Sequence, residues 1–442
     1  MDLLNDPIEK ETLISALGLD DNFRPETPAS QAETGLSEAF IEDLTLKCLL
    51  STGSESGRKI ANLLCLPLPV IEQRFDVLRS RQLITPTGSA MLGDYVYQLT
   101  DKGRDRAQRA MKGCSYAGPA PVPLEDYVNS VAAQAIRAEK PKRPQLEKAF
   151  EDIHIESEML DRIGPAVTSG KGMFIYGPPG NGKTTLARRI THCFGQHILI
   201  PHAIVEDGQI IKLFDAACHE PVQSEHDGII KSSDLDPRWI RIRRPTVIVG
   251  GELTMDNLEL KHNPAGNISE ASLQLKSNCG CLLIDDFGRQ RIDPTELLNR
   301  WIIPLENRID YLTLATGKKI EVPFEQLIIF STNLEPNDLA DEAFLRRIPF
   351  KVHVDDPSTR EFYQLFEDYA RTANISYAEG LVDYLVKTHY IDCERPLRRC
   401  HPRDLIDYVT NYCEYHEQPL RIEEDRIDHA VANYFTAVSG LE

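Results

Sequence analysis

KGMFIYGPPGNGKTTLARRI, residues 171–190, is the stretch that decides how the rest of the chain is read. The apolar run 173–176 predicts a buried parallel strand. It enters GPPGNGKT and then a helix-forming sequence. That is G-x-x-x-x-G-K-[ST], with Gly177, Gly182, Lys183 and Thr184 at the fixed positions. Glycines let successive backbone N–H groups turn inward around a phosphate. A helix starting near Lys183 aims its partial positive end at the same anion. Lys183 is placed to reach the β/γ-phosphates and the Thr184 hydroxyl to hold Mg²⁺. The candidate phosphate contacts are therefore Gly177, Pro178, Pro179, Gly180, Asn181, Gly182, Lys183, Thr184 and Thr185.

Two further strand ends complete this chemistry. In CGCLLIDDFGRQ, residues 279–290, a four-residue apolar strand ends in Asp285 and Asp286. Asp285 is the candidate metal ligand beside Thr184. Asp286 is placed to orient and polarise an attacking water, and must lie within hydrogen-bond reach of it. In QLIIFSTNLEP, residues 326–336, an apolar strand ends in Ser331, Thr332 and Asn333. A polar side chain at that tip can touch a terminal phosphate or the water.

Together these three motifs resemble the AAA+ ATPases, over roughly residues 146–440. The resemblance implies ATP and Mg²⁺ as cofactors and Asn333 in the sensor 1 role. Most family members carry Glu where this chain has Asp286. The shorter acid bears on turnover and not on binding. In DEAFLRRIPFKV, residues 341–352, Arg347 matches the arginine finger that reaches a neighbouring subunit's phosphate, with Arg346 as the alternative. In RRCHPRDLIDYV, residues 398–409, Arg403 matches the lid's sensor 2 position, with Arg398 and Arg399 as competitors. YLTLATGKKIEV, residues 311–322, reads as a hairpin around Thr316-Gly317. It resembles the pre-sensor 1 insertion of MoxR-type ATPases, RuvB-type motors, unfoldases and enhancer-binding activators. There the resemblance implies an element facing a central pore.

Outward from this core, residues 1–36 are rich in Asp, Glu, Pro and Ser and read as a mobile acidic arm. From residue 37 apolar residues recur at helical spacing through three helices. Two strands around GSAMLG follow, and then LTDKGRDRAQRAM, a helix with Thr100 as N-cap. Residues 37–112 resemble a winged-helix domain. Its third helix carries Arg74, Arg79 and Arg81 but also Glu72 and Asp76, so its charge is nearly balanced. Residues 113–145 read as a Pro/Gly/Ala linker with a helix from about 124 to 138. RWIRIRRP alternates apolar residues and arginines. It predicts a half-exposed strand that pairs with 246–249, on which Arg241, Arg243 and Arg244 form either one solvated strand face, the favoured reading, or a basic stripe. The fold expected is thus α/β: a nucleotide-binding parallel sheet over 146–354 with an all-helical lid over 355–442, preceded by the small winged-helix domain.

Composition narrows the function. The chain has 442 residues, 41% hydrophobic and 26% charged, with a formal net charge of −19. That charge argues against coating nucleic acid through bulk electrostatics. No apolar run approaches the ~18 residues a membrane span requires. The acidic N-terminus MDLLNDPIEK lacks a signal-peptide core, and the ten cysteines include no CxxC pair. Cys279 and Cys281 read as packing residues. Composition leads to the expectation of a cytoplasmic protein with no membrane insertion, and the AAA+ resemblance implies that it assembles with itself as a ring-shaped homo-oligomer, a hexamer. ATP would sit at the subunit interface, and the machine would remodel a protein client. The alternative is a DNA-associated ATPase of the initiator, loader, transposition-helper or transcription-regulator type, with the winged helix on DNA. A third reading is a nucleotide switch with little turnover.

Overall fold

The computed structural model describes residues 23–153, 155–195, 197–222, 235–339 and 342–435. The expectations for residues 1–22 and for 436–442 lie outside them. The fold is α/β. Among the described residues the central sheet has five parallel strands, in the order Thr246–Val249, Cys281–Ile284, Leu327–Thr332, Met173–Tyr176, Phe350–His353. Nearly every residue of the middle strands is buried, as expected where helices cover both faces. Phe174, Phe287 and Phe330 stack beneath the sheet's C-terminal edge with ring centroids 4.9–6.2 Å apart.

The N-terminal module comprises helices Glu38–Thr52, Gly57–Leu64, Leu68–Ser80 and Asp101–Gly113 around a small antiparallel sheet. That sheet is ordered Ser54–Ser56, Tyr95–Leu99, Ile84–Ser89. Side-chain oxygens of Ser37, Ser56 and Thr100 accept from the first-turn N–H groups of Phe40, Lys59 and Gly103. The phrase LTDKGR has a steric reason: a Cβ on Gly103 would lie 1.8 Å from the Leu83 carbonyl oxygen. Only glycine lets the last helix press against that strand end.

A second β layer separates this module from the central sheet. Its five strands run Lys261–Asn263, Ile268–Glu270, Gln209–Lys212, Ala203–Glu206, Val122–Pro123. An antiparallel ribbon, His197–Pro201 with Trp239–Arg243, and a hairpin, Ile309–Thr313 with Lys319–Pro323, pack beside it. Leu124, Tyr127, Ile198, Ile204, Leu312 and Val322 share one apolar core there.

This layer corrects several sequence expectations. Residues 113–145 are built in and not a free tether: Tyr116, Ala120, Val122, Tyr127 and Ile136 are buried. Their helix spans Leu124–Ala133 and is followed by a short 3₁₀ turn. The Pro/Ala composition that suggests a flexible spacer instead allows close backbone approach. The arginine-bearing strand pairs with His197–Pro201 and not with Thr246–Val249. Pro245 supplies no N–H for a hairpin between them, and the all-apolar TVIV run belongs in the doubly covered sheet. Arg244 does not belong to an exposed face with the other two arginines. Arg243 lies 3.6 Å from Glu220, while Arg244 is buried on Glu139 and the carbonyls of Gln134 and Cys279. The 311–322 hairpin forms, but Lys318 is tied to Glu206 (3.0 Å) and Asp207 (2.7 Å) at the turn of the second layer.

The described part of the expected acidic arm, residues 23–36, is also docked. Phe23 packs edge-on against Trp239, and Glu26 bridges Leu235. Arg238, buried against Asp236, donates to the Thr34 carbonyl at 2.7 Å. Acidic composition alone does not reveal this, because the acceptor is backbone. The C-terminal unit is mainly helical, with Thr359–Thr372, Leu381–Val386, His401–Tyr415 and Glu424–Phe435 around Phe362, Phe366, Leu405 and Ile427, but it is not all-helical as expected: Ser376–Tyr377 pairs in parallel with Arg421–Ile422. The Ser358 hydroxyl and the Glu361 carboxylate form a reciprocal cap at its start.

Candidate nucleotide site

A cavity of about 530 Å³ opens at the C-terminal ends of the central strands, between the sheet and the helical unit. Open parallel sheets place ligands at this edge. Pro179, Gly180, Asn181, Gly182, Lys183, Thr184 and Thr185 line it from one side, and Asp285, Asp286 and Asn333 from the other. Arg399, Cys400 and Arg403 border it from the helical unit. An apolar flank of Ile153, Ile155, Met159, Leu365 and Tyr369 completes it. The sequence reading did not single out that flank, since its members come from segments more than two hundred residues apart.

The loop turns through Gly177 (φ 134°), Gly180 (φ 82°) and Gly182 (φ 81°), which is left-handed backbone favouring glycine. Gly182 ends the loop and the helix Lys183–Ile190 begins at once. Lys183 is 6% exposed. Its Nζ donates to the carbonyls of Gly177 and Pro178, both at 2.9 Å, and to Asn333 Oδ1 at 2.6 Å. Burial holds the ammonium below its ordinary range, while the nearby Asp286 and Asp285 carboxylates oppose that shift. The Thr184 hydroxyl lies 2.9 Å and 3.0 Å from the two Asp285 carboxylate oxygens.

Asp286 is exposed and has φ 52°. A non-glycine residue here is uncommon, and strain of this kind clusters at functional turns. The turn is held by its neighbours. Phe287 N–H donates to Ser331 O at 2.7 Å, and Thr332 Oγ1 to Phe287 O at 2.8 Å. The strand tips carrying the acid pair and Asn333 are thereby locked together.

The candidate arginines divide. Arg403 stands in the first turn of His401–Tyr415, borders the cavity and pairs with Asp404 at 2.9 Å. Arg399 also borders it and pairs with the buried Glu361 at 2.7 Å. Arg398 pairs with Asp356. Arg346 and Arg347 lie outside the cavity lining. Arg346 is exposed, whereas Arg347 is half-buried and holds Glu306 at 2.7 Å. Cys279 and Cys281 are buried, with thiols pushed up to about 12 by burial. The sequence reading missed Asp356, whose position just after the last central strand, in an Asp-Asp-Pro run, was an available signal.

Comparison with known proteins finds local and distant likenesses. Residues 358–433 match a family described as a domain of unknown function (DUF8689). A stretch of 85 residues is 32% identical to a proteasome-activating nucleotidase of Methanoculleus marisnigri, covering 17% of this chain. The match spans only 20% of that protein's length. A RuvB mutant of Thermotoga maritima superposes with a TM-score of 0.39 at 11% identity, over 66% of this chain and 75% of that one. NtrX of Brucella abortus gives a TM-score of 0.39 at 15% identity, over 74% and 62% of the two chains.

Proposed function

We propose that this chain binds and hydrolyses ATP with Mg²⁺, as an AAA+ protein working in a ring-shaped homo-oligomer on a protein partner. The observation that carries the reading is the meeting of Lys183, Thr184, Asp285, Asp286 and Asn333 at three neighbouring strand ends in one cavity. Backbone amides of the loop would take the phosphates. Lys183 would leave the Gly177 and Pro178 carbonyls for the terminal phosphates, with Asn333 beside it. Thr184 and Asp285 offer hard oxygen donors already side by side, a set that fits Mg²⁺. The ion would neutralise charge developing on the phosphates. Asp286 would orient the attacking water from its exposed position at the cavity. The local similarity to a nucleotidase supports a nucleotide as the ligand.

Arg347 is proposed as the group supplied to the next subunit, with Arg403 steadying the phosphates from the same subunit's lid. Residues 37–112, read as a winged-helix module, would recruit the client. Protein is favoured over DNA because the arginines of its third helix already face acids. Arg74 meets Glu38 at 2.6 Å, Arg79 meets Asp76 at 3.1 Å and Arg81 meets Glu42 at 2.8 Å. Among the described residues no helix is long and apolar enough to cross a membrane.

The test compares ATP turnover by wild type, Lys183→Ala and Asp286→Asn. Turnover by wild type alone, with nucleotide binding kept in Asp286→Asn, supports the reading. Equal slow turnover in all three would leave only a nucleotide switch. Duplex DNA titrated at low and physiological salt separates the partners, because phosphate contacts give steep salt dependence.

A further inference from the structure

The side chain at the tip of the phosphate loop does not face the cavity alone. Asn181 is 1% exposed, and both ends of its amide are engaged by the helical unit and its connection. Nδ2 donates to Asp356 Oδ1 at 2.7 Å, in the link between the last central strand and the first lid helix. Oδ1 accepts from the backbone N–H of Arg399 at 3.2 Å. The amide orientation is forced by its partners: a carboxylate there accepts and a backbone N–H donates. The next contact repeats the connection. Cys400 N–H donates to Gly180 O at 2.9 Å, and a Cβ on Gly180 would lie 2.7 Å from Cys400 Sγ. Arg398 closes the group by pairing with the same Asp356 carboxylate.

Residues 180–181 are thus joined to 398–400, which lead directly into the helix bearing Arg403. Few side chains supply a donor and an acceptor from one short planar group. A residue serving only to expose loop backbone to a phosphate has no need of either. We infer that Asn181 is a positioning residue that couples the phosphate loop to the lid, so that a loop rearranged around nucleotide carries Arg399 and Arg403 with it. This deepens the nucleotide-binding reading above and rests on it for the identity of the ligand.

The experiment is hydrogen exchange of the full chain, read at peptides covering 398–404 and, as an internal control, 246–249. It is run nucleotide-free, with ADP and with a non-hydrolysable ATP analogue. In nucleotide-free Asn181→Ala, exchange at 398–404 should rise roughly three- to tenfold, the equivalent of one lost hydrogen bond, while 246–249 stays protected. The analogue, at a concentration that saturates that variant, should no longer change exchange at 398–404. Asp356→Ala should loosen the same peptide. The double variant Asn181→Ala/Asp356→Ala should raise exchange by less than the product of the two single effects, because both remove the same contact. Wild-type exchange at 398–404 in Asn181→Ala, or fully multiplicative effects in the double variant, overturns the inference. If Asn181→Ala loses protection everywhere, the milder Asn181→Ser is read at 398–404 in its place. If wild type binds no analogue, the nucleotide reading falls, and the nucleotide-free comparison still judges the coupling.

Discussion

Lys183 Nζ donates to Asn333 Oδ1 at 2.6 Å, across 150 positions of sequence. One residue opens the helix after the glycine-rich loop and the other follows the neighbouring strand, so parallel pairing of Met173–Tyr176 with Leu327–Thr332 brings them together. The contact makes the lysine answerable to two strand ends.

Asn333→Ala should therefore separate binding from chemistry. Lys183 and the loop amides remain to meet the phosphates, so ATP affinity should change by only a few-fold. Removing a preorganised polar group aimed at developing charge costs about 10²–10³ in kcat. Steady-state hydrolysis, beside fluorescent-nucleotide titration, checks both. A matching loss of affinity would assign Asn333 to ground-state binding.

Arg347→Ala should lower kcat by about 10³–10⁵ if the guanidinium acts across a subunit seam, with nucleotide binding retained. Arg346→Ala should have little effect. Mixing Arg347→Ala with Lys183→Ala should recover part of the activity, because each subunit supplies what the other lacks. Absence of recovery at every ratio counts against a shared site. Glu306→Gln removes the carboxylate that holds Arg347 and controls for its structural role.

Arg238→Met should destabilise the chain by about 3–5 kcal/mol, since it strands the Asp236 carboxylate in the interior. Arg238 and Asp236 have side chains only 4% and 2% exposed. The substitution should also release residues 23–36, whose Thr34 carbonyl accepts from Arg238. Urea denaturation measures the first effect and limited proteolysis the second. Arg238→Met/Asp236→Leu should recover much of the stability, because no lone charge remains buried.

His401 should make the C-terminal helical unit acid-sensitive. Burial, and next the nearby Arg398 charge, push its imidazole down from 6.5 to about 4. Its Nδ1 has no hydrogen-bond partner among the described residues, and the ring lies 5.1 Å from Phe435 and 5.7 Å from Tyr390. Between these values the unfolded chain binds the extra proton. The stability contribution is whole above pH 6.5 and is lost as pH falls toward 4, at most about 3 kcal/mol. Urea midpoints across that interval should fall more steeply for wild type than for His401→Phe. Parallel slopes would remove His401 as the cause.

Much of the cavity was legible because its chemistry is written locally. Gly177, Gly180 and Gly182 mark left-handed turns, and Asp285, Asp286 and Asn333 are polar residues that follow apolar strand runs. Such signals need no knowledge of distant partners. The period-two pattern of RWIRIRRP was equally clear but misleading about its partner. Alternation says which face of a strand is apolar and leaves open which strand it pairs with. The hairpin at 311–322 was found for its turn, while its clamp to Glu206 and Asp207 was not, since that depends on a second turn a hundred residues earlier.

By itself, then, the sequence determined the glycine-rich loop before the helix, the acid-ended strand and the polar strand tip, because backbone geometry and charge at strand ends permit few residue types. Only the tertiary structure decided what surrounds them. The second β layer draws its strands from residues 122–123, 203–212 and 261–270, docks residues 23–36 through Arg238, and turns an expected linker into core. It also decided that Asn181 meets Asp356 and Arg399. Those contacts arise where a loop meets residues at least 175 positions away, and a meeting of that kind leaves no periodic trace along the chain.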